Sequence, residues 1–359
     1  PNNKNFWKDG SWHMISVVSN GTNTKLFYDS HLIGTTSGTV IPQHGLFLGG
    51  YYSGGEYLIG GLDDIRIYNK PLSDKKIIEL YDLEKPSNPV ESIPGLSLWL
   101  DATNVDGKQN TTLSFSNPVS EWKDLSGNSK NLTQSESQRR PHLIGNSLNK
   151  MPVVRFDGIK SSDGDYLKNN HGLQISGELS IFLVTNKSSY GGAYEKILAI
   201  RGSDGKHGHL ISEGPSPYNY YVYASKPSGG YTNIIDENSL SGPLITNSSL
   251  GNGEISLSIS GRLIEKKNHD YPVNGKDVFT LGWAYSSEYW DGDIAEVLVF
   301  NKKITEQQKI NVNYYLSKKW ELTSSMDSDA DGFLDNIDSN PTSCDVIKPN
   351  KMGTSWYAR

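Results

Sequence analysis

Apolar and polar residues alternate with period two in several stretches of the chain. Ser256, Ser258 and Ser260 interleave with Leu257 and Ile259, and Ile65 and Ile67 interleave with Arg66 and Tyr68. Successive side chains of a strand point to opposite faces, so this pattern predicts half-buried β-strands. Helical signals surface in two places. Thr305 and Gln308 form a T-x-x-Q capping box, and Ile310, Tyr314 and the run from Leu316 to Trp320 supply an apolar stripe. Ser73 is the matching N-cap ahead of Ile77, Leu80 and Tyr81. After that helix, residues 84–93 read as a linker, because Pro86 and Pro89 stop the helix and keep the chain extended.

The two helices belong to an internal repeat. Leu62 to Lys70 matches Ile294 to Lys302 at an offset of 232, and Tyr28 to Ile33 matches Ile259 to Ile264 at 231. Leu46-Phe47-Leu48-Gly49 lines up with Phe279-Thr280-Leu281-Gly282 at 233. Three blocks in one order at nearly one offset predict two copies of one structural unit. The second copy runs from about Pro94 to Trp320, whereas the first shows only a rear portion ending near Leu83. A half sandwich exposes a sheet edge and an apolar face. The expectation is that Pro1 lies inside a domain, completed either by more of the same polypeptide or by another chain.

Composition narrows the class. The 359 residues include 36 Gly, 20 Tyr and 8 Trp, which suits turns and aromatic-rich strands. The 34 basic and 40 acidic side chains give a net charge of -6, with no basic stripe to neutralise phosphates, so no nucleic-acid partner is expected. No apolar run approaches the length of a membrane span, so no transmembrane helix is expected. A single cysteine, Cys344, excludes a disulfide-stapled scaffold and leaves the compartment open. The chain starts at Pro1 without an initiator Met or an apolar leader, as a processed or partial polypeptide would. Five Asn-x-Ser/Thr triplets, at Asn20, Asn110, Asn131, Asn186 and Asn247, are expected from composition alone.

The first copy carries Trp12 to Val18, then Leu26 to Ile33 in place of a Tyr-Val-Asp-Gly hairpin, then Gly61 to Asn69 and Pro71-Leu72-Ser73. The second carries Trp122 to Asn128, followed by Pro152 to Gly158. These residues resemble the laminin G-like branch of the concanavalin A-like lectin/glucanase superfamily. Two departures are the absence of a Trp-His strand near Leu244 and Ser30 in place of the hairpin glycine. The resemblance implies an all-β fold: antiparallel two-sheet jelly-roll sandwiches, each ending in a short helix. It divides the chain into a partial first domain (1–83), the linker (84–93) and a complete second domain (94–322). On this scaffold function resides in variable rim loops, so the ligand does not follow from the fold.

Residues 323–345 hold a different motif, followed by a tail (346–359). Asp327, Asp329, Asp331, Asp335 and Asp338 fall at loop positions 1, 3, 5, 9 and 12, with Gly332 at position 6 and the Phe333 carbonyl at position 7. Calcium takes about six to eight oxygen ligands, which this spacing wraps around one ion. Without an ion, five aspartates in twelve residues repel one another and the loop should be disordered. With Pro341 following, the motif is similar to a thrombospondin type 3 repeat, with Asn340 where that family often has Cys and Asp338 where calcium loops usually have Glu. The alternative is an acidic solvated linker. Calcium is abundant only outside cells, so the motif favours a secreted or cell-surface location.

Catalysis finds little support. Glycanases of the resembled superfamily carry Glu-x-Asp-x-Glu or Glu-x-Asp-x-x-Glu on one strand, and the nearest match is Asp291-Gly292-Asp293-Ile294-Ala295-Glu296. On a regular strand Asp291 and Asp293 share a face and Glu296 points away. The equivalent of Glu296 in the first copy is Asp64, which favours a structural role for both. His207 and His209 sit among glycines without a third metal ligand and read as surface residues. Aromatics suit a binder better, since tyrosine offers a flat apolar face and a hydroxyl to a sugar ring. The ligand candidates are Tyr218, Tyr220, Tyr221, Tyr223, Tyr231, Tyr285, Tyr289 and Trp290, with half of the strand tyrosines expected to face the core. The expectation is a non-catalytic secreted or surface protein that binds a glycan or surface partner, with a structural or filament subunit as the alternative and a glycan hydrolase behind both.

Overall fold

The alternating stretch after Met14 folds into β1 (Ile15–Ser19), β2 (Asn23–Tyr28) and β3 (His31–Ser37), an antiparallel sheet in the order β1-β2-β3. The structure is a computed structural model that describes residues 13–38, 47–50, 57–58, 62, 64–84, 89–159, 163–188, 194–201, 208–213, 220–226, 229–238, 241–275, 278–284, 288–338 and 340–343. The chain separates into two units, Pro1–Ser87 and Asn88–Arg359. In the first, Asp29 and Ser30 turn the β2–β3 hairpin with positive φ of 46° and 65°. The Asp29 carboxylate accepts a hydrogen bond from the Met14 amide (3.0 Å) and meets His13 Nδ1 at 2.6 Å, which ties the turn back to the start of β1. Helix α1 (Asp74–Glu84) starts where expected, with the Lys76 amide donating to Ser73 Oγ at 3.2 Å. One expectation fails: residues 64–70 form no strand. Alternation permits a strand, but a ladder partner is needed to hold it, and none pairs with this stretch among the described residues.

Unit 2 opens with a short helix, α2 (Pro89–Ser92), then β4 (Leu96–Asp101), β5 (Glu121–Trp122), β6 (Leu132–Thr133), β7 (His142–Leu148) and β8 (Met151–Asp157). The middle third holds β9 (Leu167–Asn169), β10 (Ile175–Gly177), β11 (Leu179–Lys187), β12 (Lys196–Arg201), β13 (His209–Glu213), β14 (Tyr220–Ser225) and β15 (Tyr231–Ile235). The last third holds β16 (Pro243–Gly251), β17 (Glu254–Ile259), β18 (Arg262–Asn268), β19 (Val273–Gly275), β20 (Val278–Leu281), β21 (Asp291–Phe300) and helix α3 (Glu306–Lys319). One sheet runs β18-β17-β16-β11-β21-β8-β7, with β4 also on β21; the other runs β15-β14-β13-β12-β20-β9-β6-β5. Every ladder is antiparallel, and the two sheets make the expected jelly-roll-like sandwich.

Side chains from both sheets close the core. Trp122, Phe156, Phe182, Phe279 and Trp290 are fully buried. Polar pairs bridge the layers: Thr185 Oγ1 and the Tyr220 hydroxyl lie 2.6 Å apart, and Ser248 Oγ meets His209 Nε2 at 2.9 Å. His209 is therefore a buried residue, not a surface one. Burial pulls its pKa down to about 3, helped by His269, so the ring is neutral. His207 lies outside the described residues. The linker expectation also needs correction: Pro89–Ser92 is helical, and Val90 and Ile93 are buried in the core of unit 2, so that end of the segment belongs to the domain.

The repeat is visible in the hydrogen-bond ladders. β1 pairs with β2 from Ile15↔Tyr28 to Ser19↔Thr24, and β16 pairs with β17 from Thr246↔Ile259 to Leu250↔Ile255. Adding 231 converts one register into the other. The next pairing matches too, down to a bulge after Leu26 in β2 and after Leu257 in β17.

Burial also sets a pH dependence. Asp165 is buried beside Asp157, and burial first, then the Asp157 charge, pushes its pKa up to about 7. Between the unfolded value near ~4 and the folded value the native state holds the extra proton, so this carboxyl favours folding at low pH and opposes it as pH rises. Asp165→Asn should therefore stabilise unit 2 at pH 8 relative to pH 5, measured as the pH dependence of urea unfolding. Identical pH slopes for the two proteins would refute it.

Candidate functional site

Alternation along β14 sorts its tyrosines. Tyr220 turns into the core, where burial raises its phenol pKa, while Tyr221 and Tyr223 face outward. Tyr231 of the neighbouring β15 is 56% exposed, and Tyr194, two residues before β12, is 41% exposed. The four rings form a chain, with centroids 5.8 Å apart from Tyr194 to Tyr221, 5.9 Å from Tyr221 to Tyr223 and 5.5 Å from Tyr223 to Tyr231. They line a depression of about 500 Å³ with Lys196 and Glu288. Lys196 Nζ meets Glu288 Oε2 at 3.2 Å, donates to the Tyr194 carbonyl at 2.9 Å and lies 5.0 Å from the centre of the Tyr194 ring. Burial lowers the ammonium pKa and Glu288 opposes that shift. Burial, then Tyr231, pushes the Tyr221 phenol up to about 12, so that hydroxyl keeps its proton at neutral pH. Flat apolar faces bordered by hydroxyls and a fixed cation–anion pair suit a polar, ring-shaped ligand.

Several expected ligand residues lie elsewhere. Tyr289 and Trp290 are buried: Tyr289 stacks on Trp283 at 6.3 Å, and the Trp290 ring lies 5.1 Å from Lys187 Nζ. Lys187 in turn bridges Glu195 (2.8 Å) and Glu213 across the two sheets. Tyr218 and Tyr285 lie outside the described residues. Tyr194, Lys196 and Glu288 were missed by the sequence reading. Tyr194 and Lys196 are two apart, the spacing of one strand face, but Glu288 reaches them only through the fold.

The acidic loop docks on unit 2. Carboxylate oxygens of Asp327, Asp329 and Asp331 lie within 4.8 Å of one another. Asp327 Oδ2 accepts the Gly332 amide at 3.0 Å, whereas its Oδ1 is buried with no hydrogen-bond partner. Burial raises the pKa of Asp327, and burial with the neighbouring Asp331 and Asp338 charges pushes Asp329 up to about 6. A divalent cation would satisfy the bare oxygen and the mutual repulsion together, so the three residues fit one. Gly332, at φ +100°, makes the turn that brings them together. Phe333 donates its amide to Asp331 Oδ1 at 2.9 Å. Asp335 is placed apart from the triad. Its carboxylate accepts the Ser328 amide and hydroxyl, both at 2.8 Å, and the Ser317 hydroxyl, which fastens the loop to α3. Asp338 is half-buried, and its Oδ1 accepts the Asn340 amide at 2.8 Å.

The strand that could have been catalytic is differently arranged from expectation. A bulge lets Thr185 oppose Ile294 and Val184 oppose Glu296, so Glu296 shares a face with Asp293 instead of opposing it. Neither carboxylate is available to a substrate. Asp293 is clamped by Arg155 at 2.7 and 2.9 Å. Glu296 is sealed under α3, accepting the indole N–H groups of Trp99 (2.8 Å) and Trp320 (2.7 Å) beside Lys319 Nζ (2.7 Å).

Fold and site together define an all-β sandwich with a tyrosine-lined depression on one sheet. Residues 2–78 match a family model described as the concanavalin A-like lectin/glucanases superfamily. No curated protein matches the sequence. Among solved structures, the chain is similar to the binding domain of Paraclostridial Mosquitocidal Protein 1, with 13% identity and a TM-score of 0.44 over 57% of this chain and 52% of that one. It is similar to the binding domain of Botulinum Neurotoxin DC, solved in complex with SialylT, with 14% identity and a TM-score of 0.43 over 64% and 52%. A third is Domain 4 of AbnA, an extracellular arabinanase from Geobacillus stearothermophilus in complex with arabinotriose, with 13% identity and a TM-score of 0.37 over 54% and 97%. The chain thus spans about half the length of the first two.

Proposed function

We propose that this chain is the non-catalytic recognition part of a secreted or cell-surface protein, built from tandem laminin G-like units, and that it binds a glycan on the tyrosine patch. The observation that carries the reading is the four-tyrosine chain, open to solvent at Tyr194 and Tyr231, beside the Lys196–Glu288 pair. Sugar rings would stack their C–H faces on Tyr231 and Tyr194, while the charged pair and phenol hydroxyls exchange hydrogen bonds with ring hydroxyls. The tandem reading is supported by the shared ladder registers, and the non-catalytic reading by the burial of Glu296 and the clamping of Asp293. Calcium would be held by Asp327, Asp329 and Asp331, rigidifying the stretch after α3. The resemblance of this loop to a thrombospondin type 3 repeat, and the abundance of calcium outside cells, support the extracellular reading.

A glycan array followed by calorimetry tests the patch. Tyr231→Ala and Tyr194→Ala are expected to weaken the ligand found by about tenfold or more, the loss of one stacking platform each. Tyr289→Phe, in the core beside the patch, is expected to leave affinity unchanged. Binding that survives both alanine variants would put the site elsewhere.

A further inference from the structure

Three ionisable side chains meet inside the unit 2 sandwich. Lys187 ends β11 in one sheet, whereas Glu195 precedes β12 and Glu213 ends β13 in the other. The Glu213 amide donates to the Glu195 carbonyl at 2.9 Å, which sets the two glutamates side by side. Lys187 Nζ reaches Glu195 Oε2 at 2.8 Å and also contacts Glu213 Oε2. The Lys187 side chain is 8% exposed and each glutamate side chain 1%. The Trp290 ring stands 5.1 Å from the ammonium, in space that Gly292 leaves for it. One cation and two anions are thus held in a nearly dry site, where lost hydration makes ions costly.

Lys319 also lies between two carboxylates, and the contrast is informative. Its side chain is 19% exposed, and both of its partners are satisfied from other sides. Glu296 accepts from Trp99, Trp320 and Tyr315, and Asp101 accepts the Thr103 amide and hydroxyl. At the Lys187 site, Glu195 Oε1 is buried with no hydrogen-bond partner among the described residues, as is Trp290 Nε1. A carboxylate whose second oxygen is bare can take up a proton there without giving up another hydrogen bond. Glu195 is therefore placed for proton transfer as well as for ion pairing.

We propose that Lys187 and Glu213 condense into an isopeptide bond, a covalent staple between the two sheets, with Glu195 as the proton carrier. Glu195 takes a proton from the Lys187 ammonium and passes it to the Glu213 carboxylate, so that a neutral amine faces a neutral carboxyl. The Nζ lone pair then forms a bond to Cδ of Glu213. A second proton travels from nitrogen through Glu195 to one Glu213 oxygen, the Cδ–O bond breaks, and water leaves. One ammonium and one carboxylate become a secondary amide and one water. Nothing is oxidised or reduced, Glu195 ends ionised as it began, and no co-reactant is needed. In water, hydration favours the separated ions. Burial removes that advantage, and fixed contact gives the two groups an effective concentration far above any reached in solution. The amide N–H remains as a donor to Glu195, and the site then holds one charge in place of three.

Intact-mass spectrometry of the full chain, unfolded in acid, reads the bond directly. The expected mass is one water below that of the sequence, and a protease digest should contain a branched peptide joining Lys187 to Glu213. A chain at its full sequence mass would overturn the proposal. So would a deficit that alkaline hydroxylamine reverses, which marks a cyclised Asp-Gly such as Asp291-Gly292, because an amide survives that treatment. Branching at Lys319 in place of Lys187 would overturn it as well. Glu195→Gln keeps the side-chain shape but cannot carry the proton, so this variant is expected at its full sequence mass. Loss of water by it as complete as in the parent would overturn the role given to Glu195. The parent's mass decides the bond even where a variant fails to fold.

Discussion

Lys319→Met is expected to destabilise unit 2 by about 3–5 kcal/mol, because it leaves two carboxylates without their counter-charge in a buried site. The Lys319 ammonium meets Asp101 Oδ2 at 2.6 Å and Glu296 Oε2 at 2.7 Å and donates to the Tyr315 hydroxyl at 3.1 Å. Burial alone would lower its pKa; Glu296 and Asp101 reverse that and hold it above the ordinary lysine value. Glu296 itself is held above the usual carboxylate range by burial and the Asp101 charge, with Lys319 and the Trp320 indole opposing the shift. This knot fastens α3 across β4 and β21, so its loss releases the helix that covers Trp99 and Trp320. At roughly 2–4 °C per kcal/mol for a domain of this size, the melting temperature should fall by about 6–20 °C. Lys309→Met is the control: its partner, Glu306, is exposed, and such a pair is worth at most about 1 kcal/mol. Adding Glu296→Leu to Lys319→Met should recover part of the loss, since removing both charges costs less than stranding one. A loss below about 1 kcal/mol for Lys319→Met would mean that water reaches the knot.

What was legible in the sequence follows from what local pattern encodes. Alternation and the capping box marked the hairpins and α3, because strand facing and helix starts depend on a few neighbouring residues. The offset of 231 between Tyr28 and Ile259 anticipated ladders that match residue for residue. Three things were not local. The bulge opposite Val184 and Thr185 reversed the facing of Glu296, and no residue in Asp291 to Glu296 announces it. Tyr289 and Trp290 looked like Tyr231 in composition, yet both are buried, with Gly164 making room for the Tyr289 ring and Gly292 for the Trp290 ring. Glu288 joins Lys196 through the packing of a distant connection against β12, a neighbour relation that sequence spacing cannot express. For the same reason Asp335 could not be separated from its neighbours: position 9 of the loop is recognisable, whereas its engagement by Ser317 requires α3 to be in place.

Gly261→Ala is expected to weaken calcium binding by the acidic loop by about tenfold or more, equivalent to roughly 1.4 kcal/mol or greater. Gly261 sits at the tip of the β17–β18 hairpin with φ +84°, and a Cβ there would stand 1.5 Å from the Asp327 carbonyl oxygen. No side chain fits that gap, so the first aspartate of the triad must move away, along with the Asp327 amide now 3.4 Å from the Ser260 carbonyl. The hairpin itself is not the obstacle, because Ser30 occupies the equivalent turn position in unit 1 at φ 65° and the register there is unchanged. The glycine in one repeat and the serine in the other thus have one physical explanation: among the described residues, a loop rests on the second hairpin and none on the first. Terbium luminescence or calorimetry on the full chain reads the affinity, with Asp327→Asn as the variant that removes the bare oxygen's charge directly. Ser30→Ala should leave calcium affinity untouched. If Gly261→Ala binds calcium as tightly as the parent chain, the loop gathers its carboxylates without help from the sandwich and the docking contact is incidental to the site.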